Sequence, residues 1–600
     1  MTDLKRHLKT ESLYLSLVLL LFFAAVFVNY NWFLNDISPP SFDEAGHLIN
    51  AYRQYDYYSR GSVISSFRVY QWFYPPFLYQ TTALLYLLTG PSLLSSFFVL
   101  QIFQCILLFS LYFTGKKCGN SFTGFLCAAA GAFFPFALFM SHRYYLDYPS
   151  TAMAALAFVF LINCESFSRR NQTLLFFAVT GLGMMIRWTT PIFLILPFAI
   201  VFAGFFKSQY EIFKSTGKTD FIKYLIACTA AVAGGIWIYH RGNSDSLPSD
   251  FEYLILILKS LLPLFLISGI LIFNRKIEPQ VRFFFTSVCI FFVIIWHYYI
   301  PALPFLSANM TKGASWGVGE GDAFDFISYL RMFVFDYQGI FGTLLIVAGF
   351  IAFFVKKDKN NVLWLSFAGF ICGFIILFLL PNRDVRYFLP LLVFSAPLSV
   401  FWFGEIKNNR VKIALSAVFF TFMCVSWLGW LFLQKVPQEK TAPYEYALIQ
   451  PLPCRDDWHY NEIMDCLEKI SAGKKMVVLF SEVRSQRSTP ITVNSIFMHY
   501  LVKTGSPLEG FNDDCEVKIQ DKYCNSYIFS NYPVSKGGNP DLTAELLIYD
   551  RDERPDLPEP VQRFYEKYRV RGERELIDEF ELPNHLCARI SVYKPGISGR

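Results

Sequence analysis

The stretch Ser41-Phe42-Asp43-Glu44-Ala45-Gly46-His47 follows a run of apolar residues, Leu13 to Leu34, that is long enough to cross a bilayer as a helix. Two adjacent carboxylates and a histidine are therefore predicted at the membrane surface. Ionisable groups are costly there, which makes them candidates for function. The alternative is that Asp43 caps a solvated surface helix from Glu44 to Arg60. This stretch alone leaves both interpretations open.

The composition predicts a polytopic α-helical membrane protein. Of 600 residues, 54% are hydrophobic and only 17% are charged, which is less charge than soluble proteins carry. Lys5, Arg6 and Lys9 precede the first apolar run, and no small-residue cleavage site follows it, so we expect a retained signal anchor. Further runs raise the prediction to about 13 spans by length. They cover residues 93–114, 122–141, 149–165, 172–187, 190–206, 221–239, 252–273, 281–305, 331–355, 361–381, 387–403 and 411–433.

Basic residues in alternate connections predict the orientation. By the positive-inside rule, the N-terminus is cytosolic and the C-terminus lies outside. This alternation requires that Phe77–Leu88 forms an amphipathic helix at the membrane surface instead of crossing it. The basic connections are Lys116-Lys117, Arg169-Arg170, Lys207 to Lys223, Arg275 to Arg282, Lys356 to Lys359 and Lys407 to Lys412.

The predicted outer face carries arginines that break this charge rule. They are Arg143, Arg187, Arg383 and Arg386, each at the end of a predicted span. A single arginine there can snorkel to the interface. Four on one face instead favour a site for an anionic group, because a guanidinium binds phosphate through two parallel hydrogen bonds.

Three carboxylates, those of Asp43, Glu44 and Asp147, share the predicted outer face. A carboxylate facing a hydroxyl or amine can act as a general base, and partial burial would tune its pKa. Asp147 could also cap a helix that starts at Pro149. Both roles are compatible.

Residues 436–600 differ in character from residues 1–435 and predict a separate small extracytoplasmic α/β domain. Strands are expected at Met476–Phe480, Glu545–Tyr549 and Ala588–Tyr593, and helices at Tyr460–Ile470 and Val561–Tyr568. Five of the 13 cysteines fall in this tail, without zinc-site spacing. Cys515 and Cys524 could close a short disulfide loop outside the cytosol.

Two local motifs are interpreted as chance matches. Gly313–Gly317 has the G-x-S-x-G pattern but lies in a predicted loop, Ser307–Asp325, instead of between a strand and a helix. Asp550-Arg551-Asp552 resembles the motif of nucleotide-sugar transferases, which need a larger nucleotide-binding domain and a cytosolic sugar nucleotide. We interpret it as a solvated strand end.

An ordered set of motifs resembles the GT-C glycosyltransferases, specifically the protein O-mannosyltransferase and lipid A aminoarabinose transferase group. The small outer tail is similar to that group too. The motifs are PPSFDEAGHL at 39–48, YPPFLY at 74–79, RYYLDYPSTAMAALA at 143–157, GLGMMIRWTTP at 181–191 and RDVRYFLPLLVF at 383–394.

The resemblance implies roles for these residues. Asp43 would be the catalytic base with Glu44 beside it, and Asp147 a second acidic residue. Arg386 and Arg187 would lie near the phosphate of a lipid carrier. Together with the arginines of the outer face, the residues expected around this phosphate are Arg386, Arg187, Arg383, Arg143 and Tyr387. No cofactor is required by the sequence, although a divalent metal could be held by Asp43, His47 and Asp147.

The chain departs from the group at two positions. Arg187 stands where the group often has lysine, and Tyr74-Pro75-Pro76 stands where the aminoarabinose enzymes have a Lys-Pro pair. The second departure weakens the expectation of a lipid A reaction.

The sequence therefore predicts an inverting membrane glycosyltransferase, most consistent with a bacterial inner membrane. It would move a sugar from a polyprenyl-phosphate donor to a protein, lipid or glycan acceptor on the outer face, with no nucleic-acid partner. The alternative is a multi-span transporter or flippase, which would favour charges and broken helices near the bilayer midplane. A structural assembly subunit would need no such set of acids and arginines.

Overall fold

A computed structural model describes the chain over residues 2–36, 39–40, 42–67, 74–216, 220–242, 250–315, 330, 332–337, 339–379, 385–432, 459–471, 476–483, 518–521, 524–530, 542–550, 574–582 and 586–593. The chain divides into two compact units. The first comprises Met1–Tyr30 and Tyr57–Gly429, and the second comprises Asn31–Asp56 and Trp430–Arg600. The predicted division between residues 435 and 436 lies outside the described ranges and stays a prediction.

The part of the chain before the tail is helical, as the sequence predicts. The α-helices are α1 Thr2–Asn35, α2 Phe42–Ser59, α3 Val63–Phe67, α4 Phe77–Thr89, α5 Leu93–Cys118, α6 Ser121–Phe133, α7 Pro135–Met140, α8 Asp147–Asn163, α9 Arg170–Met184, α10 Ile195–Thr216, α11 Asp220–Gly242, α12 Asp250–Phe273, α13 Pro279–Ser315, α14 Gly339–Val355, α15 Asn361–Leu379, α16 Leu392–Val400 and α17 Asn409–Phe432. Thr190–Leu194, Val385–Leu391 and Phe401–Glu405 form 3₁₀ turns, and Met332–Tyr337 forms a π turn.

Within the described residues, eight helical segments are long and apolar enough to cross a membrane. They confirm a polytopic helical membrane protein, whereas the number of about 13 spans stays a prediction. Several predicted spans are short or interrupted. Residues 122–141, for example, form two helices separated at Phe134, because Pro135 starts a new helix.

The predicted span 387–403 is not a continuous α-helix. Arg386–Glu405 consists of a 3₁₀ turn, α16 and a second 3₁₀ turn, with Pro390 and Pro397 inside. Proline removes a backbone donor and disrupts regular helical bonding. Every residue of α16 is buried, so this irregular backbone is shielded by protein, which membrane proteins require.

Polar side chains cap helices where the basic connections meet. Asn120 Oδ1 accepts from the Thr123 amide at 3.0 Å, and Asn360 Oδ1 accepts from Leu363 at 2.8 Å. Asn360 Nδ2 also donates to the carbonyls of Lys117 and Cys118, both at 3.0 Å. The connection after α14 is thereby attached to the C-terminal end of α5.

Other contacts gather the basic connections in the same way. Lys356 Nζ donates to Glu405 Oε1 at 2.7 Å, and Gln280 Nε2 donates to the Ser166 carbonyl at 2.8 Å. Lys116 pairs with Glu11. These contacts bring the basic connections together at one end of the helices, as the charge pattern predicts. That this end faces the cytosol stays a prediction.

The tail contains a six-stranded sheet and one described helix, α18 Tyr460–Ser471. The strands are β1 Met476–Val483, β2 Lys518–Asp521, β3 Cys524–Ser530, β4 Leu542–Asp550, β5 Arg574–Leu582 and β6 Leu586–Tyr593. Their order is β2-β3-β1-β4-β6-β5, and only β1 and β4 pair in parallel. The predicted small α/β domain and four of its five expected elements are confirmed.

Several local predictions need correction or fall outside the described residues. Helix α13 continues to Ser315, so the loop predicted from Ser307 starts too early. Strands β2, β3 and β5 were not predicted from the sequence. The helix predicted at Val561–Tyr568 and Cys515, one half of the predicted disulfide, lie outside the described residues.

Candidate active site

The turn between α7 and α8 carries the second motif acid. Ser141 closes α7 by donating its amide to the carbonyls of Ala137 and Leu138, and the Tyr145 amide donates to the Arg143 carbonyl at 2.7 Å. The chain then enters α8 at Asp147, whose carbonyl accepts from Thr151 Oγ1 at 2.8 Å. Asp147 therefore lies in the first turn of α8, where the helix dipole favours a negative charge.

Asp147 forms a buried ion pair with Arg187. Asp147 Oδ1 accepts from Arg187 Nη1, and the two side chains are 4% and 9% exposed. The residue preceding α8 is Leu146, without a side-chain capping bond, so the prediction that Asp147 caps a helix starting at Pro149 is wrong. Its carboxylate instead contacts a guanidinium 40 positions later in the chain.

The backbone around Arg187 is held by hydroxyl groups. Thr190 Oγ1 donates to the carbonyls of Gly183 and Arg187, both at 2.8 Å, and lies 2.7 Å from Ser150 Oγ of α8. Because these bonds join the end of α9 to α8, they fix the position from which Arg187 reaches Asp147. Thr190 and Ser150 lie inside the quoted motifs but were not predicted as supporting residues.

The aromatic motif YPPFLY supports the same turn. The Phe77 amide donates to the Met185 carbonyl at 2.9 Å, and Tyr299 OH donates to the Met184 carbonyl at 2.7 Å. Farther along α4, Thr82 Oγ1 lies 2.5 Å from the OH of Tyr144, three positions before Asp147 in the chain. The expected helix at Phe77–Leu88 is confirmed as α4, with Leu84 and Leu88 exposed, and its position at the membrane surface stays a prediction.

Tyr387 lies beside two arginine side chains. The Arg187 Cζ atom is 4.8 Å from the centre of its ring, and the Arg386 Cζ atom is 5.7 Å from it. Arg386 also lies over the ring of Tyr145, at 5.5 Å. Cation–π contacts of this kind attract a guanidinium to an aromatic face and restrict its orientation. The structure therefore links Asp147, Arg187, Tyr387, Arg386 and Tyr145 through successive contacts.

The remaining predicted residues of the outer arginine set have different surroundings. Arg143 is half-buried and lies over Phe139, with its Cζ atom 5.8 Å from the ring centre. Its neighbour His142 is buried and packs edge-on against the same ring. Burial, followed by the charge of Arg143, lowers the pKa of His142 well below its usual value. Arg383 lies outside the described residues.

The acids of the predicted first outer loop belong to the second unit. The helix expected there is present as α2, but it starts at Phe42, so Asp43 and Glu44 lie in its first turn and Asp43 does not cap a solvated helix that begins at Glu44. Glu44 and His47 are buried, and Asp43 is half-buried. Both acids therefore lie at the N-terminus of a helix, where the helix dipole is positive.

The possible metal ligands Asp43, His47 and Asp147 are divided between the two units. Among the residues that the structure describes, no three His, Cys, Asp or Glu side chains form a group suited to a metal ion. Asp43 and His47 are one helical turn apart on α2, whereas Asp147 belongs to the first unit.

Part of the chain matches a known protein family. Residues 74–239 match the family described as dolichyl-phosphate-mannose-protein mannosyltransferase. The matched range contains Arg143, Asp147 and Arg187, and it confirms the resemblance to GT-C glycosyltransferases predicted from the motifs. No curated protein matches the chain in sequence.

Three solved structures are among those that match the chain. The oligosaccharyltransferase of Archaeoglobus fulgidus in its apo form is 13% identical over 70% of this chain and 57% of that one, with a TM-score of 0.39. The same organism's AglB, in complex with an inhibitory peptide and a dolichol-phosphate, is 13% identical over 75% and 58%, with a TM-score of 0.40. ArnT from Cupriavidus metallidurans, bound to undecaprenyl phosphate, is 13% identical over 87% and 97%, with a TM-score of 0.26. This chain thus spans less than two thirds of either archaeal chain.

Proposed function

We propose that this GT-C-type protein transfers a sugar from a polyprenyl-phosphate donor to an acceptor at the extracytoplasmic face of a membrane. One observation carries the proposal, namely the pair Asp147–Arg187 connected through Tyr387 to Arg386. These groups lie at helix ends and include two residues of the family match. A carboxylate and fixed guanidinium groups at a membrane surface suit a reaction that releases a lipid phosphate.

In the proposed reaction, Asp43 acts as the general base. Its carboxylate takes the proton from the acceptor hydroxyl or amine while that atom attacks the anomeric carbon of the sugar. The bond between that carbon and the phosphate oxygen breaks, and its electron pair stays on the polyprenyl phosphate. Attack from the side opposite the leaving group inverts the configuration. Glu44 lies next to Asp43 in the same helix turn and belongs to the proposed catalytic set.

The two central arginines have different proposed tasks. Arg386 is half-buried and oriented by Tyr145 and Tyr387, so its charged group can bind the carrier phosphate as well as the departing phosphate. Arg187 is nearly buried and paired with Asp147, so we assign it mainly to holding that carboxylate charged and oriented. Asp147 would then orient the acceptor. Arg143 and Arg383 would add positive charge near the phosphate.

The alternative function, a transporter or flippase, is less well supported. The broken segment Arg386–Glu405 is of the kind that transporters use, but between its two ends the sequence contains no charged residue. Ion-coupled transport needs polar or charged groups near the midplane. In the described parts of the first unit, the central acid–arginine group lies at helix ends instead.

The proposal also covers the location of the protein and its partners. The helices place the protein in a membrane, where the bilayer and the lipid-linked donor would be its partners. A bacterial inner membrane, with the tail outside, agrees with the charge pattern. Tyr74-Pro75-Pro76 in place of a Lys-Pro pair favours an acceptor other than lipid A.

Purified protein in lipid nanodiscs, given a panel of radiolabelled polyprenyl-phosphate sugars, tests the function. We expect transfer from at least one donor, with release of the polyprenyl phosphate. Asp43→Asn should abolish most of this turnover, whereas the matched variant Asp56→Asn, at the other end of α2, should retain it. If every donor remains intact while the protein moves a lipid-linked sugar between leaflets, the transporter interpretation replaces this one.

A further inference from the structure

A buried polar group lies among α1, α5 and the turn that leads to α8. Asn29 of α1 donates through Nδ2 to Ser141 Oγ at 2.8 Å and to the side-chain oxygens of Gln101 and Gln104, both at 3.3 Å. Gln101 Nε2 in turn donates to the Ser141 carbonyl at 3.1 Å. These side chains, here called the Asn29 network, connect three separate parts of the chain.

The Asn29 network lies in the protein interior. All four residues are at most 3% exposed, and Asn29 and Ser141 are fully buried. Polar side chains in such positions lose their hydration, and interhelical hydrogen bonds in membranes return only a modest stabilisation. Apolar residues of similar size would stabilise the helices as well, so these amides are better explained by the geometry that they fix.

One end of a turn is attached to the network, because Ser141 uses both its hydroxyl and its carbonyl. At the other end, Tyr148, which follows Asp147, is fully buried at the start of α8. Between these two residues lie Tyr145, which contacts Arg386, and Asp147, which pairs with Arg187.

We propose that the Asn29 network positions the turn Ser141–Tyr148 for sugar transfer, which makes Asn29, Gln101 and Gln104 positioning residues of the reaction. This inference rests on the proposed function, since it assumes that Asp147 and Arg386 act in turnover. Asn29 is the central residue, because its one amide group contacts both glutamines and the turn. The first helix thereby acts on the site through packing, in addition to anchoring the chain.

The variant Asn29→Leu tests the proposal, because leucine keeps the bulk and removes the amide. We expect the turnover number to fall on the order of tenfold or more, since small displacements of reacting groups reduce rates steeply. Affinity for undecaprenyl phosphate should change less than about threefold, because Tyr387 still orients Arg386. Hydrogen exchange of residues 141–148 should increase. Asn29→Gln, which retains an amide, should recover part of the rate.

The control is Ser110→Ala on the same helix as both glutamines. Ser110 is buried and donates only to the Ile106 carbonyl of its own helix at 2.6 Å, so its loss should change neither turnover nor exchange of the turn. Unchanged exchange of residues 141–148 in Asn29→Leu would overturn the proposal, whatever happened to turnover. So would an equal loss of turnover in Ser110→Ala. If the unmodified protein used no sugar donor, the proposed function would fail, and the exchange measurement would still decide whether the network holds the turn.

Discussion

Removing one partner of the Asp147–Arg187 pair should lower the free energy of unfolding far more than removing both partners. Arg187→Gln leaves the Asp147 carboxylate, 4% exposed, without its guanidinium. Uncompensated charges of this kind cost about 3–5 kcal/mol of unfolding free energy. Asp147→Asn/Arg187→Gln removes both charges and should recover most of that loss. It should remain inactive, because the proposed reaction needs the carboxylate.

The conservative variant Arg187→Lys separates charge from geometry. Lysine keeps a positive charge near Asp147 but loses the planar contact with Tyr387, where the Arg187 Cζ atom is 4.8 Å from the ring centre. That contact contributes about 0.5–2 kcal/mol, depending on burial. We therefore expect a stability between those of the unmodified protein and Arg187→Gln, and only partial turnover.

The measurement is unfolding in mixed micelles by a denaturing detergent, followed by tryptophan fluorescence at one protein concentration. The matched control is Arg169→Gln, which breaks the exposed pair Arg169–Glu165. Exposed pairs contribute about 0.2–1 kcal/mol, so this variant should shift the transition far less than Arg187→Gln. If Arg187→Gln shifted it no more than Arg169→Gln, or if the double variant were no more stable than Arg187→Gln, the burial argument would be refuted.

Further predictions concern roles, pH and orientation. Asp43→Asn should lower the single-turnover rate on the order of a hundred- to ten-thousand-fold while carrier binding persists. Arg386→Ala should weaken carrier affinity as well as rate, with partial recovery in Arg386→Lys, and the opposite pattern would reverse the two roles. Because the pKa of His142 is lowered in the folded state, its contribution to stability is present above about pH 6.5 and is lost as pH falls below it. His142→Gln should therefore show a smaller drop in thermal stability between pH 7 and pH 5, and an unchanged drop would contradict this assignment. Cysteine labelling should find residue 500 accessible from outside and Lys207 from the cytosol; labelling of residue 500 from the cytosol would invalidate both topology and mechanism.

The sequence predicts the helices well, because apolar length and basic connections are local signals. It identifies Asp147 and Arg187 as site candidates but not their partnership, which joins residues 40 positions apart. The capping prediction failed for this reason, since local spacing suits a cap while the distant arginine provides a stronger partner. Tyr145, two residues before the acid, lies within a quoted motif, yet only the fold shows that its ring contacts Arg386.

In the tail, strands with continuous apolar character were predicted and others were missed. Residues 544–548 of β4 are buried, and its apolar sequence predicts a strand. In β5, Arg574, Glu575, Asp578, Glu579 and Glu581 interrupt the apolar pattern, because this strand forms the edge of the sheet and is largely exposed. Edge strands often carry such charges, which discourage pairing with other chains.

The two hydrogen bonds from Asn360 Nδ2 to the carbonyls of Lys117 and Cys118 have a consequence for the biogenesis of the protein. The two partners are separated by 243 and 242 residues, so the ribosome completes α6 to α14 before Asn360 exists. Throughout that interval, the C-terminal end of α5 lacks this donor and must rely on water, lipid headgroups or the insertion machinery. Nascent chains arrested before residue 360 should therefore keep this end accessible, and it should become protected only after Asn360 has left the ribosome and packed against α5.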